Sequence, residues 1–166
     1  DPFESAPDPR FLYLDAALPG APSVLRREGR RASGALAVLR DVSASMEGPL
    51  GRAASQVATG LVRLAARRRM RVGYLEFHHA AEPFEAAGAF FHRRYGSLLG
   101  LAARPRAEGR TSYEAALHAA LAAFGPTPSA GRHAVLVTDG VPVVGDPQVL
   151  RERALARRLG VRVHTV

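Results

Sequence analysis

Three short stretches of the chain gather side chains with oxygen ligands. Asp41-Val42-Ser43-Ala44-Ser45-Met46 offers a carboxylate and two hydroxyls, Gly109-Arg110-Thr111-Ser112 offers hydroxyls, and Thr138-Asp139-Gly140 offers a second carboxylate. Such ligands are hard, and they suit Mg²⁺, Mn²⁺ or Ca²⁺ better than zinc or copper. Two carboxylates brought to one rim repel each other unless a cation sits between them. The chain has no Lys to supply that charge. Each stretch also has a purely structural use. Ser43 and Ser45 suit turns and helix N-caps. Thr111 and Glu114 have the Thr-x-x-Glu spacing of a capping box, and Asp139-Gly140 suits a tight turn.

Other chemistries find less support. Cys is absent from the 166 residues, which excludes disulfides, thiolate-zinc sites and cysteine nucleophiles. A nucleophilic Ser43 or Ser45 would need a His and an orienting acid, and the sequence contains no Gly-x-Ser-x-Gly elbow. A P-loop needs the missing Lys. An aspartyl phosphotransferase built on Asp41 would carry a second Asp two positions on, where Ser43 stands. His78 and His79 follow an expected strand, and neighbours in a strand point to opposite faces, so the two do not easily chelate one ion. His92, His118, His133 and His164 are isolated along the chain. The expectation is a binding module rather than an enzyme, with a metal-dependent hydrolase or phosphotransferase and a polyanion-binding basic domain as the alternatives.

The net charge of +8 arises from 23 basic and 15 acidic residues, and every basic residue is Arg. Asn, Ile and Trp are also missing, and Ala, Arg, Gly and Pro are abundant, the residue usage of a GC-rich coding sequence. Most of the charge therefore reads as compositional. The run Arg67-Arg68-Arg69 with Arg71 falls at an expected helix C-terminus, where the helix dipole favours cations, and no aromatic residues are interleaved to stack bases. Nucleic acid is not the expected partner.

The elements that must position these side chains alternate in type. Residues 1–33 read as an irregular, Pro-punctuated lead-in with a possible short strand at Phe11–Leu14. Residues 34–166 read as one domain, which a chain of this length can support around one core. Within it Ala35–Arg40, Val72–Phe77, His133–Val137 and Val161–Val166 read as strands, with a return strand near Phe84. Leu50–Met70, Ala86–Leu101, Tyr113–Phe124 and Pro147–Leu159 read as helices. In Leu50–Met70 the expected buried stripe is Leu50, Ala54, Val57, Leu61, Leu64 and Ala65. Alternation of this kind predicts an α/β fold, doubly wound, with a mostly parallel sheet covered by helices on both faces. Its crevice lies beyond the carboxyl ends of the strands, where the three oxygen-bearing stretches fall. The expected core is Val38, Leu39, Val57, Leu61, Leu64, Leu75, Leu117, Leu121, Val135, Leu136 and Val137.

Asp41-x-Ser43-x-Ser45, then Thr111 after Gly109, then Asp139-Gly140 at the end of an apolar strand, resembles the metal-ion-dependent adhesion site of von Willebrand factor type A domains. The resemblance runs from about Gly34 to Val166. It implies a Rossmann-like fold and a Mg²⁺ ion (or Mn²⁺ or Ca²⁺) contacted by Ser43, Ser45 and Thr111, with Asp41 and Asp139 acting directly or through water. It also implies a protein partner whose Asp or Glu completes the metal sphere. Arg40 and Arg110, near the expected rim, could reach the same guest carboxylate. The sequence departs from the family at Ala44, where Gly is common, and at Arg40, where an apolar residue is usual. It also ends at Val166, where the family has a further helix, which suggests a longer parent. The layout of Leu61–Phe77, Gly109–Thr111 and Arg162–His164 is similar to bacterial members that work with MoxR-type AAA+ ATPases, so a cytoplasmic location is expected. No apolar run approaches the roughly 18 residues of a membrane span, and no basic, apolar stretch that would read as a signal peptide is visible within these 166 residues.

Overall fold

Strand β1 (Ala35–Asp41) runs through the middle of a five-stranded sheet, and all seven of its residues are buried. Its continuous apolar run is what a strand covered on both faces requires. It pairs in parallel with β2 (Arg71–Phe77) on one side and with β4 (Arg132–Val137) on the other. The short strand β3 (Ala81–Phe84) returns antiparallel beside β2, and β5 (Val161–Thr165) runs parallel beside β4, giving the order β3-β2-β1-β4-β5. The computed structural model describes residues 34–125, 131–140 and 142–166. The chain divides into two units, 1–32 and 33–166, and all described residues belong to the second. The expected strand at Phe11–Leu14 and the irregular lead-in lie outside the described residues.

Helices α1 (Pro49–Arg67) and α2 (Tyr95–Ala102) cover one face, where Leu36, Val38, Val72, Tyr74, Val135 and Val137 point. Helices α3 (Tyr113–Ala123) and α4 (Leu150–Leu159) cover the other, against Ala37, Leu39, Leu75, Phe77 and Leu136. The doubly wound, mostly parallel sheet is thus as expected, including the antiparallel edge at Phe84. Of the expected core, Val38, Leu39, Leu75, Leu117, Leu121, Val135, Leu136 and Val137 are buried.

Helix α1 departs from expectation. It buries Ala54, Ala58, Val62 and Ala65, while Leu50 and Leu64 are exposed and Val57 and Leu61 are only partly covered. The stripe is rotated toward the small residues. The sheet beneath already presents fully buried Tyr74 and Arg40, and a helix packs closely over such bulk with alanines rather than leucines.

The expected helix over Ala86–Leu101 begins only at Tyr95. Ala87 and Gly88 both have positive φ, 52° and 73°, and Ala86 and Ala89 exchange backbone hydrogen bonds across them. Two consecutive left-handed residues make a turn, which the helix propensity of the alanines conceals. The segment then pairs with β2 through His92 and Val72. Phe90 lies on Gly73, where an added Cβ would sit 2.1 Å from the ring. Only glycine at 73 leaves that place, and burial of the ring contributes about 1.5–3 kcal/mol.

Candidate metal site at the carboxyl ends of the central strands

The chain leaves β1 toward β2 on one side and reaches β4 on the other, so the order reverses between β1 and β4. Open sheets of this kind place their functional crevice at that reversal. Beyond it the three oxygen-bearing stretches meet.

Asp41 ends β1 and is 1% exposed. One carboxylate oxygen, Oδ1, accepts the Ser43 N–H at 2.8 Å, and Oδ2 accepts the Thr138 hydroxyl at 2.6 Å. Among the described residues it has no ion pair. Ser43 is extended and precedes a 3₁₀ turn, Ala44–Met46, without capping it through its side chain. Instead its hydroxyl lies 3.1 Å from that of Ser45. Met46 turns inward and is buried with the apolar cluster under α1. Ala44 is not among the residues with positive φ, so the loop does not require glycine there.

The 108–112 segment is bonded to the same loop from the side. Glu108 N–H donates to the Val42 carbonyl, and Ala44 N–H donates to the Gly109 carbonyl at 3.0 Å. Gly109 has φ 73°, and a Cβ on it would meet His79 Nδ1 at 2.9 Å. Thr111 is buried, and its carbonyl accepts from the N–H groups of Val143 and Val144. The expected capping box at Thr111 is not formed. Ser112 is the N-cap of α3 and accepts from Ala115 N–H, while the Glu114 carboxylate accepts the Asp146 N–H. Thr111 is thus not the cap, because the helix begins one residue later than the motif assumes.

At the end of β4, Thr138 and Tyr113 complete the arrangement. The Tyr113 hydroxyl is 3.1 Å from the Thr138 hydroxyl, which also accepts the Gly140 N–H and donates to Asp41. Burial first of all, and also the negative charges of Asp41 and Asp139, push the Tyr113 phenol up from its ordinary value, while its bond to Thr138 acts the other way. Asp139 is half-buried. The five expected ligands thus lie on three stretches, at the ends of β1 and β4 and in the segment that enters α3. Thr138 and Tyr113 were not singled out by the sequence. A hydroxyl immediately before Asp139 was the available signal for Thr138, whereas Tyr113 reads only as part of an apolar helix stripe.

Arg40 does not reach this rim. It is fully buried on the opposite face of β1, donating through Nη1 to the carbonyls of Ala102 and Arg104 and lying 3.5 Å from Glu76. Alternation along the strand sends 40 and 41 to different faces. Around Glu76 a second charged group assembles. The Arg106 guanidinium bonds to Glu76, Glu82 and Glu108. His78 Nε2 is 3.1 Å from Glu82, and the Tyr74 hydroxyl donates to Glu76. Arg106 above all holds the Glu82 carboxyl down to about 2. Burial, reinforced by Glu76, raises Tyr74. His78, Glu82 and Glu108 offer ligand atoms within 4.8 Å of one another, a group that can hold a metal ion. To do so it must release the guanidinium already bonded to both carboxylates.

The histidines also differ from expectation. His78 and His79 bring their Nδ1 atoms to 2.9 Å, because they lie past the end of β2, where strand alternation no longer applies. His133 and His164 stack across β4 and β5 with nitrogens 3.1 Å apart.

No protein-family model matches the sequence, and no curated protein matches it. Solved structures do match its fold. An aerotolerance-related membrane protein from Bacteroides fragilis is 21% identical with a TM-score of 0.65, over 80% of this chain and 66% of that one. A von Willebrand factor type A protein from Catenulispora acidiphila is 19% identical with a TM-score of 0.64, over 80% of this chain and 32% of that one. The pilus adhesin SpaC from Lactobacillus rhamnosus GG is 18% identical with a TM-score of 0.61, over 82% of this chain and 24% of that one. The chain therefore spans less than two thirds of the length of each. These likenesses establish the von Willebrand factor type A fold.

Proposed function

We propose that the protein is a divalent-cation-dependent protein-binding module. In this reading Ser43, Ser45 and Thr111 hold Mg²⁺, Mn²⁺ or Ca²⁺, and Asp41 and Asp139 contribute directly or through water. The observation that carries it is Asp41, a buried carboxylate that among the described residues has no ion pair and lies beside two hydroxyls that cap no helix. A buried charge without a counter-charge is costly, and the donor set around it consists of hard oxygens, which fits such a cation. Asp41 also fixes the loop, since its two oxygens hold Ser43 N–H and the Thr138 hydroxyl.

A bound cation would supply a Lewis-acidic position for an Asp or Glu from a partner protein. Three neutral hydroxyls leave it with residual positive charge, and six-coordinate Mg²⁺ retains room for a guest oxygen. In this reading the cation serves to capture a partner carboxylate rather than to catalyse a reaction. Likeness in fold to a pilus adhesin supports protein partners. A MoxR-type AAA+ ATPase in the cytoplasm is the partner suggested by the layout of the sequence.

Isothermal titration with MgCl₂ and MnCl₂ on the wild type and on Asp41→Ala tests the metal. Heat of binding is expected for the wild type alone, and equal heats for both proteins would discard the proposal. Thr111→Ala and Asp139→Ala should lose cation binding while keeping the wild-type far-UV circular dichroism.

A further inference from the structure

Helix α1 carries a stripe that the metal rim does not use. Arg52, Gln56, Thr59 and Arg63 are spaced by four, three and four residues, so they lie along one side of the helix. They form a wall of a groove of about 920 Å³ whose other wall is the 103–107 segment and whose end is the Met46–Gly48 turn just after Ser45. Arg52 and Arg63 are exposed, and among the described residues neither side chain has a hydrogen bond or ion pair. Arg106 also lines the groove, but its guanidinium is committed to the glutamates described above. The free positive charge is therefore a pair of arginines eleven residues apart, about 16 Å along the axis, with neutral polar groups between them and the exposed Glu47 carboxylate at the Met46–Gly48 end of the groove.

We propose that this groove docks an acidic segment of a protein partner, with one carboxylate on Arg52 and another on Arg63. The spacing selects the partner class. An extended chain spans about 16 Å in about five residues, and a protein segment can place carboxylates at the two ends of such a span and neutral residues between. A nucleic-acid strand instead carries a phosphate every few ångströms. Several would then lie against Gln56 and Thr59, which offer no charge, and the groove has no aromatic side chain on which bases could stack. Close approach of a backbone is allowed at Gly60, where nothing lies within 4 Å of an added Cβ. The groove starts where the metal loop ends, so one partner can span both, but its own binding does not require the cation.

The test uses a fluorescein-labelled peptide of about six residues with Asp at each end and Ser and Gly between, the length that spans the two arginines. Controls are the same peptide with Asn at both ends and an oligothymidylate of equal charge. Fluorescence anisotropy is read in EDTA, so that failure of the metal proposal does not touch the result. The acidic peptide is expected to bind, with Arg52→Ala and Arg63→Ala each weakening it about threefold to fivefold, the scale of an exposed charge pair. Gly60→Glu should abolish binding and Gly60→Ala should retain it. Both improve helix propensity, and circular dichroism checks that both fold. Amide chemical shifts of residues 52–63 should move on titration. Equal binding to the double arginine variant, equal binding of the Asn peptide, or stronger binding of the oligothymidylate would overturn the proposal.

Discussion

Two sets of carboxylates, joined by the 108–112 segment, are served in opposite ways. Glu76, Glu82 and Glu108 all meet the Arg106 guanidinium, and Glu76 also faces Arg40. Asp41 is as deeply buried as Glu76, yet it has only an amide and a hydroxyl. The first set is neutralised from within the chain and reads as architecture. Asp41 has no counter-charge among the described residues, which under the proposed function is the place of a bound cation. What separates the two kinds of acid in this fold is therefore the charge of their partners and not their burial.

The comparison can be broken at several points. The largest effect should come from Arg40→Ala. It leaves Glu76 without its buried cation and the Ala102 and Arg104 carbonyls without their donor. A loss of about 3–5 kcal/mol is expected in urea unfolding, with cation binding at the rim retained by whatever fraction stays folded. A loss under 1 kcal/mol would show that the inner set is not structural.

Next comes Asp41→Asn. At a Mg²⁺ concentration ten times its Kd, the wild type should gain about 1.4 kcal/mol in unfolding free energy, and the variant should gain nothing. Equal gains in the two proteins would erase the distinction between the sets. Tyr113→Phe removes only a hydrogen bond to Thr138. It should cost about 0.5–1.5 kcal/mol and leave the titration heat with Mg²⁺ in place, as measured on one sample by both methods.

Acid is the mildest probe. Glu82 is held down to about 2 in the fold against an ordinary 4.5. Its stabilising contribution is therefore complete above about pH 4.5 and lost as pH falls toward 2. Because its side chain is 40% exposed, the contribution is at most about 1 kcal/mol. Glu82→Gln should flatten that part of the stability profile, and an unchanged slope between pH 4.5 and 2 would assign it to other groups.

The fold was largely legible because buried strands such as Ala35–Arg40 and His133–Val137 are uninterrupted apolar runs between turn residues. The grouping of Asp41, Ser43 and Ser45 was legible because they are close in sequence and their spacing is itself the signal. What escaped was decided by contacts across the fold. Nothing local says that the alanine side of α1, rather than its leucines, faces the sheet, since the sheet's bulky Tyr74 and Arg40 make that choice. Nor does the Ala-rich 86–89 stretch announce a left-handed pair. Arg106 meets Glu76 and Glu82 from 30 and 24 residues away, and no periodicity reports such a pairing. Tyr113 and Thr138 joined the site only because the first residue of α3 brings its hydroxyl to the residue that follows β4.

The two bonds that tie Glu108 and Gly109 to Val42 and Ala44 have a kinetic consequence. A rim whose loops are already held together loses little freedom when a guest arrives, so capture should not wait for the loops to rearrange. Association is then governed by diffusion and by the long-range field of a protein carrying +8, which draws acidic guests inward. In stopped-flow mixing the on-rate should fall steeply as salt is raised, while the off-rate, set by short contacts at the rim, changes little. An on-rate indifferent to salt, with a lag independent of guest concentration, would mean that the loops open and close before they bind.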